Sequence, residues 1–173
     1  KEQALHQMKE GSTLLILADV NRPSITQAPE LLKTADHIAV IDHHRSSEEQ
    51  VEHVDISYVE PYASSASEMV TELLQYMVEN LKLKQVEMDG LFAGIALDTK
   101  NFTVKTGVRT FEAAAYLRRC GADSVSVRQM FKNDMEEYKA RAGIVSAAHI
   151  INGNMAIAGW KGGIENASAV AAQ

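Results

Sequence analysis

Two short apolar runs, each ending on an acidic residue, constrain this chain more than any other feature. Thr13-Leu14-Leu15-Ile16-Leu17-Ala18 is continuous, too short for an ordinary helix, and stops at Asp19-Val20-Asn21-Arg22-Pro23. His37-Ile38-Ala39-Val40-Ile41 repeats the pattern and stops at Asp42-His43-His44. An uninterrupted apolar run suits a strand buried on both faces, and such strands belong to parallel sheets covered by helices. In open sheets of that kind the loops leaving the C-terminal strand ends converge on one edge, where ligands bind. Asp19 and Asp42 are therefore expected to be neighbours there.

The rest of the pattern supplies the flanking helices. A helical stretch is expected near residues 28–34, and a third strand near 54–59. After Pro61, Ser65-Ala66-Ser67-Glu68 reads as a capping box opening a long amphipathic helix to about residue 80. The Ser64-Ser65 turn is expected to point free amides toward the same edge. Residues 85–97 carry Val86, Leu91, Ile95 and Leu97 among small Gly90, Ala93, Gly94 and Ala96, which predicts a closely packed helix running into Asp98. Another helix is expected over 109–119, ended by Gly121 with Arg118 and Arg119 at its negative pole, and Asp123 caps the next.

The fold class that follows is α/β, a mostly parallel sheet flanked by helices over residues 1–130. A charged linker helix is expected over 131–150 and the start of a smaller α/β domain over 151–173, with a short strand at Met155-Ala156-Ile157-Ala158 and a helical reading of 166–173. An apolar content of 46% fits one good core with a fragment beside it.

Charge narrows the function classes. A formal net charge of -6 argues against a groove for long nucleic acid, which clustered Lys and Arg would line. Small anionic ligands are still accommodated if a metal supplies the positive charge. Cys120 is the one cysteine, so no internal disulfide forms and a reducing compartment is expected.

Asp42-His43-His44 is the most informative triplet, because imidazole and carboxylate together are ligands for borderline divalent ions. Asp19 and Asp98 offer two further carboxylates. Taken singly, either aspartate reads equally well as a cap or turn former. His6, His37, His53 and His149 are assigned structural roles. Two adjacent imidazoles at the mouth of a sheet have little packing value, so the triplet is harder to explain that way.

At these residues the chain resembles the DHH phosphoesterases. Ala39-Val40-Ile41-Asp42-His43-His44-Arg45 is similar to the motif that names the family, Leu17-Ala18-Asp19-Val20-Asn21 to its second motif, and Gly94-Ile95-Ala96-Leu97-Asp98-Thr99-Lys100-Asn101-Phe102 to its fourth, in the family's order. With Glu60-Pro61-Tyr62-Ala63-Ser64-Ser65-Ala66-Ser67-Glu68 the set is most like the GdpP-type enzymes that hydrolyse cyclic di-AMP.

The resemblance implies that Asp19 bridges two Mn²⁺ ions and that His43 and Asp98 bind one of them. It implies that Asp42 orients the site from behind and that His44 meets the substrate phosphate, with Asn21, Arg45, Ser64 and Ser65 on the substrate side. Cyclic di-AMP opened to linear pApA is the implied reaction, on a cytoplasmic domain of a membrane-anchored parent. A homodimer is compatible with it, and any membrane tether belongs to upstream segments. No aspartate precedes Asp19, so the family's first motif, Asp-x-Asp, is unmatched, as is the Gly-rich substrate motif of the associated domain. The chain alone is therefore expected to bind metal weakly and to hydrolyse poorly.

Two other readings stay open. A nanoRNase-like or RecJ-like exonuclease would use the same residues on short oligonucleotides, and a regulatory module with an incomplete metal site would bind nucleotide without turnover. A Rossmann dinucleotide domain ranks last, since no Gly-x-Gly-x-x-Gly follows the first run.

Overall fold

The computed structural model describes residues 2–8, 11–77, 82–132 and 135–161. The chain divides into two compact units, Lys1–Met130 and Phe131–Gln173.

In the first unit a short helix α1 (Glu2–Gln7) precedes strand β1 (Leu14–Ala18), followed by β2 (His37–Asp42) and β3 (Ile56–Val59). The three strands form one parallel sheet in the order β1-β2-β3, with Ala18 opposite Ile41 and Asp42 opposite Val59. Parallel order sends all three C-terminal ends to one edge, so the residues following Ala18, Asp42 and Val59 share it.

Coverage of the sheet is uneven. Central β2 is buried on both faces through Ile38, Ala39 and Val40, whereas β1 is an edge strand whose alternate residues Leu14 and Ile16 are more than half exposed. The expectation that β1 is buried on both faces is corrected accordingly: among the described residues only its Leu15 and Leu17 side joins a core, with Ile38, Val40, Leu32, Val54 and Val59. The helical stretch near 28–34 is a 3-10 segment, Pro29–Lys33, where Pro29 has no amide to donate and the run is too short to continue.

Four helices follow in this unit: α2 (Ala66–Met77), α3 (Gln85–Asp98), α4 (Val108–Cys120) and α5 (Ser124–Met130). The expected end of α2 near residue 80 lies outside the described residues. Helix α2 packs on β2, and α3 touches α2, α4 and α5. A helix with neighbours on several sides needs apolar or small residues all round. Helix α3 has them: Met88, Phe92 and Ile95 are buried with Ala113, Ala114, Leu117, Ala122 and Val127 in a second core, and Ala96 is buried as well. At Gly94 the approach to α2 is so close that a Cβ would overlap Ser67 Oγ.

The helix ends follow their capping chemistry. Gly121 takes φ 117° as the left-handed cap of α4, and Arg118 donates to the Ala122 carbonyl. Asp123 accepts from the amides of Val125 and Ser126 at 3.1 Å each, as the sequence predicts for the start of α5.

The second unit holds α6 (Met135–Ser146) and an antiparallel hairpin, β4 (His149–Ile151) with β5 (Met155–Ile157). Strand β4 straddles the end of the expected linker at residue 150. Its turn places Asn152 and Gly153 at φ 54° and 74°, the positive dihedrals of tight hairpins. The helical reading of residues 166–173 lies outside the described residues.

Candidate metal centre

Asp19, the first residue beyond β1, sits in the left-handed region at φ 65°, and its amide still donates to the Ile41 carbonyl at 2.9 Å. The strand ladder thus runs one residue past β1 before the backbone turns. Aspartate accepts such a conformation more readily than most side chains, and strained residues of this kind cluster at functional sites. On the neighbouring strand the chain leaves β2 through His43 and His44.

His43 is almost enclosed, with 8% of its side chain exposed, and its Nε2 faces two carboxylates: Asp19 Oδ1 at 3.3 Å and Asp98 Oδ2 at 3.6 Å. Asp98 arrives from the other side as the last residue of α3. His43 thus stands between carboxylates brought by two other elements distant in sequence. Burial pushes the Asp98 carboxyl above its ordinary range; His43 pulls it back and the Asp19 charge pushes it further up.

Asp42 is fully buried. Its Oδ1 accepts from the His44 amide at 3.1 Å and from His44 Nδ1 at 2.7 Å. A carboxylate only accepts, so Nδ1 carries the proton and Nε2 is the ring's free nitrogen. His43 and His44 rings stand 4.5 Å apart and tilted. Asp42 Oδ2 is the buried side-chain oxygen without a partner among the described residues. Asn21 Nδ2 donates to the His44 carbonyl at 3.4 Å, tying the loop after β1 to the loop after β2.

The donor set fits a divalent cation. Metal bonds of about 2.0–2.2 Å set roughly 90–110° apart leave neighbouring ligand atoms about 3–3.5 Å from each other. His43 meets Asp19 and Asp98 at 3.3 and 3.6 Å, close to that spacing. One ligand atom from each of Asp19, His43 and His44 also lies within 4.8 Å of the others. Without a cation, Asp98 is a half-buried carboxylate beside a second one, which is electrostatically costly.

The remaining residues expected near substrate divide. Arg45 is exposed at the same edge. Both Ser64 and Ser65 are buried, and at Ser64 the expectation of a free amide is corrected: its amide and hydroxyl donate to Glu68 Oε2 at 3.3 and 2.5 Å. Glu68's own amide donates to Ser65 Oγ at 3.0 Å. The cap at the start of α2 forms, but the Glu68 carboxylate reaches one residue further back than a capping box requires and takes up the donors of Ser64.

One feature of the site has no sequence signal. After Asp98, three consecutive residues, Lys100, Asn101 and Phe102, take φ 47°, 55° and 61°. Thr99 holds them: its hydroxyl accepts from the Phe102 amide at 2.9 Å and its carbonyl from the amides of Thr103 and Val104 at 2.8 and 2.9 Å. The turn folds straight back on the end of α3 and fixes where Asp98 stands.

Comparison with known proteins gives three findings. A profile of the DHH family, N-terminal domain, matches residues 1–95. A cyclic-di-AMP phosphodiesterase GdpP of Geobacillus thermodenitrificans is 50% identical over 157 residues, 91% of this chain and 24% of that protein, and the cyclic-di-AMP phosphodiesterase PdeA of Listeria monocytogenes is 42% identical over 98% of this chain and 26% of its own length. The chain thus spans about a quarter of these relatives. Among solved structures, an exopolyphosphatase-related protein from Bacteroides fragilis superposes with a TM-score of 0.75 at 19% identity, covering 87% of this chain and 44% of that one. That likeness speaks for the fold: a three-stranded parallel sheet with flanking helices, followed by a small antiparallel hairpin.

Proposed function

This chain belongs to the DHH family, and on that premise we propose that it carries the metal centre of a phosphodiesterase that opens cyclic di-AMP to linear pApA. The observation that supports the reading is that His43 Nε2 stands 3.3 Å from Asp19 Oδ1 and 3.6 Å from Asp98 Oδ2 at the sheet edge. The choice of substrate is supported by the two relatives named for cyclic di-AMP hydrolysis, at 50% and 42% identity.

Asp19, His43 and Asp98 would hold the ion, taken as Mn²⁺, with Asp19 exposed enough to reach a second one. A divalent ion so held supplies charge for phosphoryl oxygens and lowers the pKa of a bound water. The chain's own residues do the positioning. Asp42 fixes the angle of His44 by its 2.7 Å bond to Nδ1, so that the imidazolium form of the ring would donate its Nε2–H to a phosphate oxygen. Half-exposed, His44 is accessible to such a ligand. The parent is proposed to place this domain in the cytoplasm behind a membrane anchor; among the described residues no helix is long and apolar enough to cross a membrane.

The test is a product assay on the intact protein with Mn²⁺. Asp19→Ala is expected to abolish pApA formation while circular dichroism stays unchanged, because an exposed ligand and not core packing is lost. His37→Ala, whose ring meets Asp55 at 3.3 Å, should keep most of the activity. Turnover near wild type in the Asp19 variant would refute the metal reading.

A further inference from the structure

A metal held by Asp19, His43 and Asp98 would read a phosphate and not the group it is attached to. Carboxylates and imidazoles around a cation cannot tell a nucleotide from any other phosphate ester, and the fold is shared with an exopolyphosphatase-related protein. A base-reading group must therefore lie elsewhere on the same edge, and one side chain there has no structural work.

Beyond β3 the Glu60 amide donates to the Asp42 carbonyl at 2.9 Å, so the chain leaves the sheet directly beside the residue that holds His44. The Ala63 amide then donates to the Glu60 carbonyl at 3.0 Å and closes a tight turn with Pro61 and Tyr62 at its two central positions. Proline presets the first of these. The Tyr62 amide donates to Glu60 Oε1 at 3.3 Å, a second tie within the turn. The following residues Ala63, Ser64 and Ser65 are buried, at 4%, 1% and 0% exposure. A turn anchored that firmly projects its tip, and Tyr62 is 95% exposed.

Other aromatic side chains of this unit are engaged or remote. Phe102 packs between Phe92 and Phe111, and the Tyr58 hydroxyl accepts from Arg109. Tyr76 lies toward the far end of α2. An aromatic ring held on a hydrogen-bonded turn, almost wholly in water and following the strand end that pairs with Asp42, has the chemistry of a stacking platform. Little reorganisation is needed to use it, since the turn is formed before any ligand arrives.

Resting on the function proposed above, we propose that Tyr62 stacks on the nucleobase of a nucleotide whose phosphate is held at the Asp19, His43 and Asp98 centre. The substrate class is then nucleotides, with inorganic polyphosphate and simple sugar phosphates disfavoured. Aromatic stacking is sequence-tolerant, so Tyr62 selects for the presence of a base and the preference among bases comes from other groups.

The experiment is calorimetric titration of the intact protein in Mn²⁺ with two probes, adenosine 5′-monophosphate and ribose 5-phosphate, which differ only in the base. Wild type is expected to bind the nucleotide roughly 5- to 150-fold more tightly, the range of one base-aromatic stack. In Tyr62→Ala the nucleotide should fall to the level of the sugar phosphate, whose affinity is unchanged, and Tyr62→Phe should keep the preference. An exposed side chain makes these variants safe for folding, and unchanged sugar-phosphate binding checks it. Equal binding of both probes to wild type, or a preference that survives Tyr62→Ala, overturns the assignment of Tyr62. Binding of neither probe in Mn²⁺, with the fold intact, overturns the phosphate centre itself.

Discussion

Asp98 is the residue where the site's electrostatics can be read most directly. Its carboxyl titrates above its ordinary value of 3.8, mainly because it is buried. The folded state then favours the protonated form, so this group's contribution to stability is present below the unfolded value and is lost as pH rises through the folded one. At neutral pH the metal-free protein carries that cost in full. Asp98→Asn is expected to raise the melting temperature of the metal-free protein at pH 7, with the gain shrinking on acidification, and to remove the stabilisation that Mn²⁺ gives wild type. A lower melting temperature for the variant at pH 7 without metal would contradict the assignment. Asp42 calls for a different signature, since it touches His44 and not the cluster of His43 with Asp19 and Asp98. Asp42→Asn should lower turnover about 10- to 100-fold while leaving a measurable Mn²⁺ isotherm, the usual effect of losing a carboxylate that orients a histidine.

At the scale of elements, the site depends on how α3 is set against α2 and how the turn after it is closed. Gly94→Ala would drive a methyl into Ser67, whose Cβ would lie 2.9 Å away, and overpacking of this kind costs about 1–3 kcal/mol. Because α3 delivers Asp98, weaker Mn²⁺ affinity should accompany the lost stability in denaturant titrations. The left-handed turn gives a prediction of opposite sign. Lys100 has a φ of 47° that an L side chain adopts at a cost of about 1–2 kcal/mol, and glycine removes that cost while adding unfolded-state entropy. Lys100→Gly should therefore stabilise by on the order of 0.5–1 kcal/mol, and Lys100→Val should destabilise. These elements were unequally legible in the sequence. Strands β1 and β2 and the acidic residues after them could be read because a parallel pair writes continuous apolar runs and ends them abruptly. The exposure of Leu14 and Ile16 could not, since the runs look alike whether a strand is central or at an edge. The turn at Lys100–Phe102 was hidden because turn chemistry places positive φ on glycine, and Asp98-Thr99-Lys100-Asn101-Phe102 contains none; the Thr99 hydroxyl and carbonyl hold it instead. Glu68 misled through a real signal, a capping pattern whose carboxylate had a nearer donor in Ser64. Strand β4 was missed although Asn152-Gly153 is a hairpin signal, because the charged stretch before it reads as one long helix.

At the scale of the whole molecule, 23 acidic against 17 basic residues leave the net charge at -6, so the surface should repel long polyanions. Fluorescence anisotropy is expected to show binding of a dinucleotide in Mn²⁺ and no binding of a long single strand at physiological salt; tight, salt-sensitive binding of the long strand would favour a processive exonuclease. The central claim is that one metal position is made by residues from β1's end, β2's end and the last turn of α3. Anomalous scattering from crystals of the intact protein grown in Mn²⁺ tests it most directly. The expected result is a peak within about 2.0–2.3 Å of Asp19, His43 and Asp98 together. A Mn²⁺ peak that leaves His43 and Asp98 outside its coordination sphere would contradict it.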